Sequence, residues 1–379
     1  MSRRYLDHNA TAPLRPQARE AMLAALGQTG NASSIHAEGR AARAVIENAR
    51  ADVAALVGAP ARNVIFTSGA TEALALALRP HWRRGAAPAP QRLVIGATEH
   101  PAVFAAHEFA QAQENPVDAR GLFDAAALDQ ALAPGQGAAM LALQAANSET
   151  GVLQPLGGVG ERVRAAGGLM VCDAVQAAGR TPCDFIATGA DFLILSSHKI
   201  GGPQGAGALI LSDLALACDR PLLRGGGQER GLRGGTENVA AIAGFGAAAR
   251  AALAGQATET ARLGELRDLF ERGLRDAAPD TVIFGEGAPR LPNTSAFAIP
   301  GVAAEKMLIA LDLAGVALSS GSACSSGKVR GSHVLAAMRT PENLASCALR
   351  ASFGWDSARE DAEMAVAAIS RAISRLRRG

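Results

Sequence analysis

The sequence predicts an α/β protein built on a mainly parallel sheet, with a second, smaller region towards its end. Three observations predict it. Short apolar runs, beginning at Val64, Leu93, Ala138, Leu169 and Phe192, recur along the chain, each with the length and continuity of a strand buried on both faces. Segments of helical spacing separate them, the alternation that parallel strands joined by crossover helices require. The runs also stop at clusters of polar residues, and strand ends are where α/β proteins place their chemistry.

Composition bounds the rest. At 379 residues the chain is longer than one core usually grows, so two domains are expected, and composition changes near Gly255. The formal net charge is +2, and the arginines are scattered rather than gathered, so no nucleic-acid footprint is present. No apolar run reaches the roughly 18 residues of a membrane helix. The opening MSRRYLDHNATAPLRP lacks the apolar stretch of an export signal. Five cysteines include no C-x-x-C pair, which argues against a disulfide framework and a structural zinc site. A reducing cytoplasm is the expectation.

Taken in order, Tyr5–Asp7 is a short extended piece before the polar run Asp7–Pro13, and Pro16 opens a helix. Residues 30–36, GNASSIH, form a polar loop before the amphipathic segment Ala41–Val57; Asn31 there serves either a helix-capping turn or a substrate contact. The strand from Val64 enters Thr67-Ser68-Gly69-Ala70-Thr71 and then a helix. That junction is either an anion site, where free N–H groups and the helix dipole converge, or an ordinary turn capped by Thr71. His81–Arg92 reads as an exposed loop. The strand ending at Gly96 leads to His100 before a proline that can open a helix, a position suited to a site or to a structural histidine. Ala138–Leu143 leads to Asn147-Ser148-Glu149-Thr150-Gly151.

Asp173 follows the Leu169–Cys172 strand, where a carboxylate costs desolvation unless a cation or donor meets it; a simple helix cap is the alternative. Phe192–Leu195 ends in Ser196-Ser197-His198-Lys199. Only three of the 37 basic residues are lysines, Lys199, Lys306 and Lys328. Arginine serves wherever plain positive charge suffices, so a lysine retained at a strand end suggests an amine nucleophile, which arginine cannot supply. Residues 224–238, RGGGQERGLRGGTEN, are too glycine-rich for a packed element and must be a loop held by ligands or a partner. Val239–Leu253 is a small-residue helix. Beyond Gly255, the charged segment Thr258–Ala277 precedes strands at Thr281–Phe284, Thr294–Ile299 and Val316–Leu318. The last of these opens onto SSGSACSSGK, whose small polar neighbours leave Cys324 accessible as a reactive thiol. Arg350 lies on a strand in LRASFG, suited to binding a carboxylate, and Ser357–Arg378 is a closing helix.

These parts fit one cofactor. Pyridoxal phosphate needs a lysine for an imine, a carboxylate against its ring nitrogen, a stacking partner and a phosphate cup. Lys199, Asp173, His100 and the Gly69-Ala70-Thr71 turn supply one each.

The motifs YLDHNATAPL, GNASSIH, TSGATEA, EHPAV, NSETGV, DAVQ, SSHK, GGGQERGLRGGTEN, SSGSACSSG and LRASFG, in this order over almost the whole chain, resemble the cysteine desulfurases of the NifS and IscS type within the class V aminotransferase group. The resemblance implies a pyridoxal-phosphate-dependent transferase of fold type I. Its large domain, residues 12–255, would hold a mainly parallel seven-stranded sheet. A smaller α+β domain, residues 1–11 and 256–379, would carry the cysteine loop. Lys199 would hold the cofactor covalently, Asp173 would pair with its ring nitrogen, and His100 would stack and assist proton transfer. Gln176 and the Asn147-Ser148 pair would lie near the phenolic oxygen. Ala70, Thr71, Ser196 and His198 would hold the phosphate, with Thr236 from the second subunit of a homodimer. Arg350 and Asn31 would orient the substrate carboxylate, and Cys324 would accept sulfur from L-cysteine, leaving L-alanine.

The implied partner is a sulfur acceptor or iron–sulfur scaffold protein, with Cys324 at most a transient cluster ligand. The chain departs from the family at Ser148, where a second asparagine is usual. Either Asn147 turns in or a water fills the gap. Two other readings are a selenocysteine lyase or related β-eliminating enzyme, and a cofactor-bearing scaffold without turnover.

Overall fold

The computed structural model describes residues 3–320 and 331–377. Its centre is a seven-stranded sheet in the order Val64–Thr67, Gly207–Leu211, Phe192–Ser196, Leu169–Asp173, Ala139–Gln144, Arg92–Gly96 and Ala112–Asn115. All neighbouring strands are parallel except Gly207–Leu211, which runs against both of its neighbours. The two faces of the sheet feed separate cores. Leu193, Leu195, Met170 and Leu141 point into one, and Phe192, Ile194, Val171 and Met140 into the other. That period-2 division is why these strands read as unbroken apolar runs.

A second core gathers Leu6, Phe270, Phe297, Leu349 and Phe353. Phe270 meets Phe297 and Phe353 edge-on, with centroids 5.6 and 5.9 Å apart. It backs an antiparallel sheet of Val282–Ile283, Thr294–Ala298 and Ala348–Ser352. The N-terminal strand Arg4–Tyr5 pairs in parallel with Val316–Ala317, so the first residues of the chain join this part. One uninterrupted helix, Val239–Ala277, spans both cores, with Ala241 and Phe245 in the first and Leu263 and Phe270 in the second. The composition change near Gly255 therefore falls inside a helix and not in a linker. This helix is long and apolar enough to cross a membrane by length and composition, yet 56% of its most apolar window is buried within the fold, as in a core helix.

Two expectations need correction. His81–Arg92 is not simply an exposed loop: Trp82–Arg84 pairs with Leu216–Cys218, and Trp82 is fully buried against Phe192, centroids 4.8 Å apart. The glycine-rich loop 224–238 is held by its own chain. Buried Glu229 accepts from both terminal nitrogens of Arg50 at 2.8 Å and from the Phe66 N–H at 2.9 Å. Those bonds offset the left-handed backbone of Glu229, φ 45°, and Arg230, φ 59°.

Glu229→Ala removes the buried partner of Arg50, leaves it only the exposed Glu47 carboxylate at 3.0 Å, and should cost about 3 kcal/mol. The expected result is a lower urea midpoint at an unchanged slope; an unchanged midpoint would mean the loop has another anchor.

Candidate active site

The polar residues at the strand ends converge on a cavity of about 330 Å³, lined by Gly69, Thr71, His100, Asp173, His198 and Lys199 among others. The helix Ala70–Ala77 starts at its wall with Gly69 as N-cap and no side-chain cap. Its first N–H groups have no intrahelical acceptor and face an anion's position. Packing holds that turn in place: a Cβ on Gly207 would stand 2.6 Å from the Gly69 backbone. Glu72, one turn in, is fixed by the Ser68 N–H at 2.8 Å and Arg233 Nε at 2.8 Å. Burial alone would raise the Glu72 carboxyl, but these hydrogen bonds outweigh it and hold it below the usual range.

Asp173 ends its strand with Oδ1 accepting from the Val175 N–H at 3.0 Å. Burial pushes its carboxyl up to about 6, opposed by that hydrogen bond and by the Lys199 charge. A carboxylate in this condition favours a cationic N–H against it. His100 caps the helix Pro101–Ala106, its Nδ1 accepting from the Ala102 N–H at 3.1 Å, which leaves the proton on Nε2. Burial, then the charges of Lys199 and His333, lower it to about 4, so the ring is neutral near pH 7. His198 is likewise lowered to about 4, by burial and then by Lys199 and Arg180, and its Nδ1 lies 3.1 Å from Thr11 Oγ1. Lys199 Nζ donates to the carbonyls of Asn9 at 2.6 Å and Ala10 at 2.7 Å. An amine, a carboxylate poised for a ring N–H, a flat neutral ring and a helix N-terminus in one cavity fit a planar phosphorylated pyridine.

The structure brings Ala70, Thr71, His100, Asp173, Ser196, His198 and Lys199 together around this cavity. The other expected residues are not part of its lining. Gln176 donates to the Asn9 carbonyl at 3.1 Å and accepts from Arg180. Asn147 does not turn in: its Nδ2 donates to the Thr98 carbonyl at 2.9 Å, and its Oδ1 accepts from the Glu149 and Thr150 N–H groups at 2.9 and 2.8 Å. It shapes the turn. The Ser148 carbonyl accepts from Arg350 at 3.0 Å and Asn9 at 3.1 Å. Arg350 is buried and pairs with Asp7 at 2.7 Å. Asn31 is exposed and accepts from the Ser33 N–H at 2.8 Å; the cap of the following helix is His36. Thr236 is exposed and does not line the cavity of its own chain. Cys324 lies outside the described residues.

Sequence reasoning missed Gln204, Gly205 and Ala206, which close the cavity beside Gly69; the glycine-rich turn after Lys199 was their signal. It also missed Glu99, fully buried behind His100. Burial and then the Asp173 charge raise the Glu99 carboxyl well above its ordinary range, against a hydrogen bond from the Gln144 N–H.

A family model described as aminotransferase class-V matches residues 4–364. A cysteine desulfurase of Cereibacter sphaeroides is 42% identical over 369 residues, covering 95% of this chain and 93% of that protein. The X-ray structure of a NifS-like protein from Rickettsia africae superposes with a TM-score of 0.88 at 32% identity, covering 98% of this chain and 99% of the other. A structure described as SspA in complex with cysteine aligns with a TM-score of 0.76 at 27% identity, over 92% of this chain and 98% of that one.

The folded protein binds the Asp173 proton more tightly than the unfolded chain, so ionisation of this group opposes folding above about pH 6 and has no effect below about pH 4. In the ligand-free protein, Asp173→Asn should therefore raise the urea midpoint at pH 8 and leave it unchanged at pH 4. An equal effect at both values would contradict the assignment.

Proposed function

The chain belongs to the aminotransferase class-V family, and from that premise we propose that it is a cysteine desulfurase. It binds pyridoxal phosphate and moves the sulfur of L-cysteine to Cys324, releasing L-alanine. The observation that carries the reading is the convergence of Lys199, Asp173, His100 and the Gly69–Thr71 turn on one cavity. The N–H groups at the start of Ala70–Ala77, with Ser196 and His198, hold the phosphate, and Thr236 of a second copy completes the cup. Asp173 would meet the cofactor's ring nitrogen and favour its protonated form, and His100 would supply the flat neutral ring beside it. When bound, the cofactor supplies an electron sink that acidifies the α-hydrogen of the amino acid it holds.

The chain's own groups do the remainder. Lys199, whose Nζ donates to the Asn9 and Ala10 carbonyls, would hold the cofactor and move protons. His100, neutral with its proton on Nε2, exchanges a proton without first having to lose one. Arg350 orients the substrate carboxylate. The Cys324 thiolate attacks the substrate sulfur: an S–S bond forms, the C–S bond breaks, and the carbon takes up a proton. The products balance as alanine plus a protein persulfide. A sulfur-acceptor or iron–sulfur scaffold protein then takes that sulfur. A reducing cytoplasm suits this chemistry and agrees with the free Cys172, Cys183, Cys218 and Cys347.

Purified protein given L-cysteine and a reductant should form alanine and sulfide in equal amounts and show a visible absorption band that borohydride fixes to Lys199. Lys199→Ala should abolish both activity and fixation. Cys324→Ala should keep the band and lose cysteine turnover; retained turnover would favour a lyase, and a colourless protein would overturn the reading.

Ser148 takes the place of the family's second asparagine, and its shorter side chain would weaken one contact to the cofactor's phenolic oxygen. Ser148→Asn should tighten cofactor binding by about one net hydrogen bond, roughly 1 kcal/mol or several-fold in Kd. Titration of the absorption band checks it, and unchanged affinity would refute it.

A further inference from the structure

The segment Asp7–Ala10 touches both cations that an amino-acid substrate must engage. At one end Asp7 Oδ1 accepts from Arg350 Nη2 at 2.7 Å. At the other, the Asn9 and Ala10 carbonyls accept from Lys199 Nζ. The Arg350 arrangement is incomplete for a guanidinium. Only one Asp7 oxygen is engaged, Nη1 is spent on the Ser148 carbonyl at 3.0 Å, and buried Nε has no hydrogen-bond partner among the described residues. A guanidinium binds a carboxylate best through two parallel N–H bonds.

The backbone keeps Asp7 from providing them. The Leu6 carbonyl accepts from the Ser352 N–H at 2.8 Å, the Leu6 N–H donates to Ala317 at 2.9 Å, and the His8 N–H donates to Ser352 at 3.3 Å. Asp7 is thus pinned to the strand carrying Arg350, with its side chain 19% exposed. An untethered α-carboxylate has no such restraint and can take Nε and Nη2 together once Asp7 gives way.

We propose that Asp7 is a placeholder carboxylate, occupying Arg350 until the α-carboxylate of the amino-acid substrate displaces it. This deepens the desulfurase reading and rests on it. Displacement makes substrate affinity depend on a free carboxylate: a thiol amine without one leaves the Asp7–Arg350 pair intact and gains nothing from the guanidinium. The site thereby selects α-amino acids over other thiols by exchange of one anion for another, and Arg350 never stands buried without a counter-charge. Asp7 acts through Arg350 and is a positioning residue.

Two measurements test this. The chain has a single tyrosine, Tyr5, whose hydroxyl donates to the Asp7 carbonyl at 3.1 Å and the Thr11 carbonyl at 2.8 Å, so 3-fluorotyrosine labelling gives one fluorine NMR line beside Asp7. In the otherwise unaltered holoenzyme that line should shift with L-alanine and stay in place with ethylamine, which has the amine but no carboxylate. Equal responses to the two, or none, would overturn the proposal.

In the second, Asp7→Asn removes the competitor. The KM for L-cysteine should fall about 3- to 10-fold, because apparent affinity scales with the fraction of sites left open. The kcat should hold within about 2-fold, and the KM for L-cysteine methyl ester should not move. If both substrates shift together, or neither shifts, Asp7 is only structural. Should Asp7→Asn fail to fold, the fluorine comparison decides alone. A wild-type enzyme that forms no alanine from L-cysteine removes the desulfurase reading, whereas the fluorine response requires no turnover.

Discussion

The carboxylate of Asp173, carried at the end of a strand whose other residues are buried, is the constraint on which the site depends. Its strand is flanked on both sides by parallel neighbours, with Gln144 opposite Asp173 on one side and Ile194 opposite it on the other. Ladder bonding fixes the backbone there, so the side chain can reach only the space beyond the strand ends. Lys199, a few residues past the neighbouring strand, is delivered to the same space. Burial raises the Asp173 carboxyl, and the Lys199 charge opposes that rise. Burial, and then the Asp173 charge, raise the Glu99 carboxyl well above its ordinary range. The result is a carboxyl group and an amine at one cavity, with two histidines held neutral by burial and by the same lysine charge. A pocket of that kind has to be completed by something that carries its own positive N–H and its own anion.

The smaller core reaches this pocket through the N-terminal segment. Leu6 is buried among Phe297, Leu349 and Phe353, and three residues later Asn9 forms a junction. Its N–H donates to Ser352 Oγ at 2.9 Å, its side chain donates to Thr294 and to Ser148, and its carbonyl accepts from Gln176 and Lys199. Residues far apart in sequence therefore share one hydrogen-bonded node, and a small displacement of the smaller core is felt at the lysine. His8 reinforces the link: burial, with the Arg180 charge, lowers it to about 3, and the neutral ring packs where a Cβ on Gly354 could not fit.

The buried part of the fold was legible because strands covered on both faces must be apolar throughout. Where that condition lapses, the signal lapses too. Ala112–Asn115 is an edge strand with three exposed residues, and its composition, AQEN, carries no strand pattern. Trp82 sits in a polar, proline-rich context that reads as loop, yet its indole N–H finds the Leu76 carbonyl at 2.8 Å and its ring fills a cavity beside Phe192. The long helix hid its continuity because Gly255 and the change in composition mark a change of core, and a helix may pass between two cores without a break. For the site, residues adjacent to strand ends were legible, since chemistry and position coincide there. Glu99 and Asp7 were not: their meaning comes from contacts with Gln144 and Arg350, which sequence distance conceals.

The exchange of asparagine for serine at position 148 shows how such a site absorbs a change in one motif residue. Position 148 serves the framework through its backbone carbonyl, which meets Arg350 and Asn9 and is supplied by any residue. The turn itself is held by Asn147, whose side-chain oxygen accepts from two successive N–H groups and the Thr150 hydroxyl. Structural duty thus rests on the neighbour and on the main chain. The side chain at 148 is left free to vary without disturbing the lysine, the carboxylate or the guanidinium.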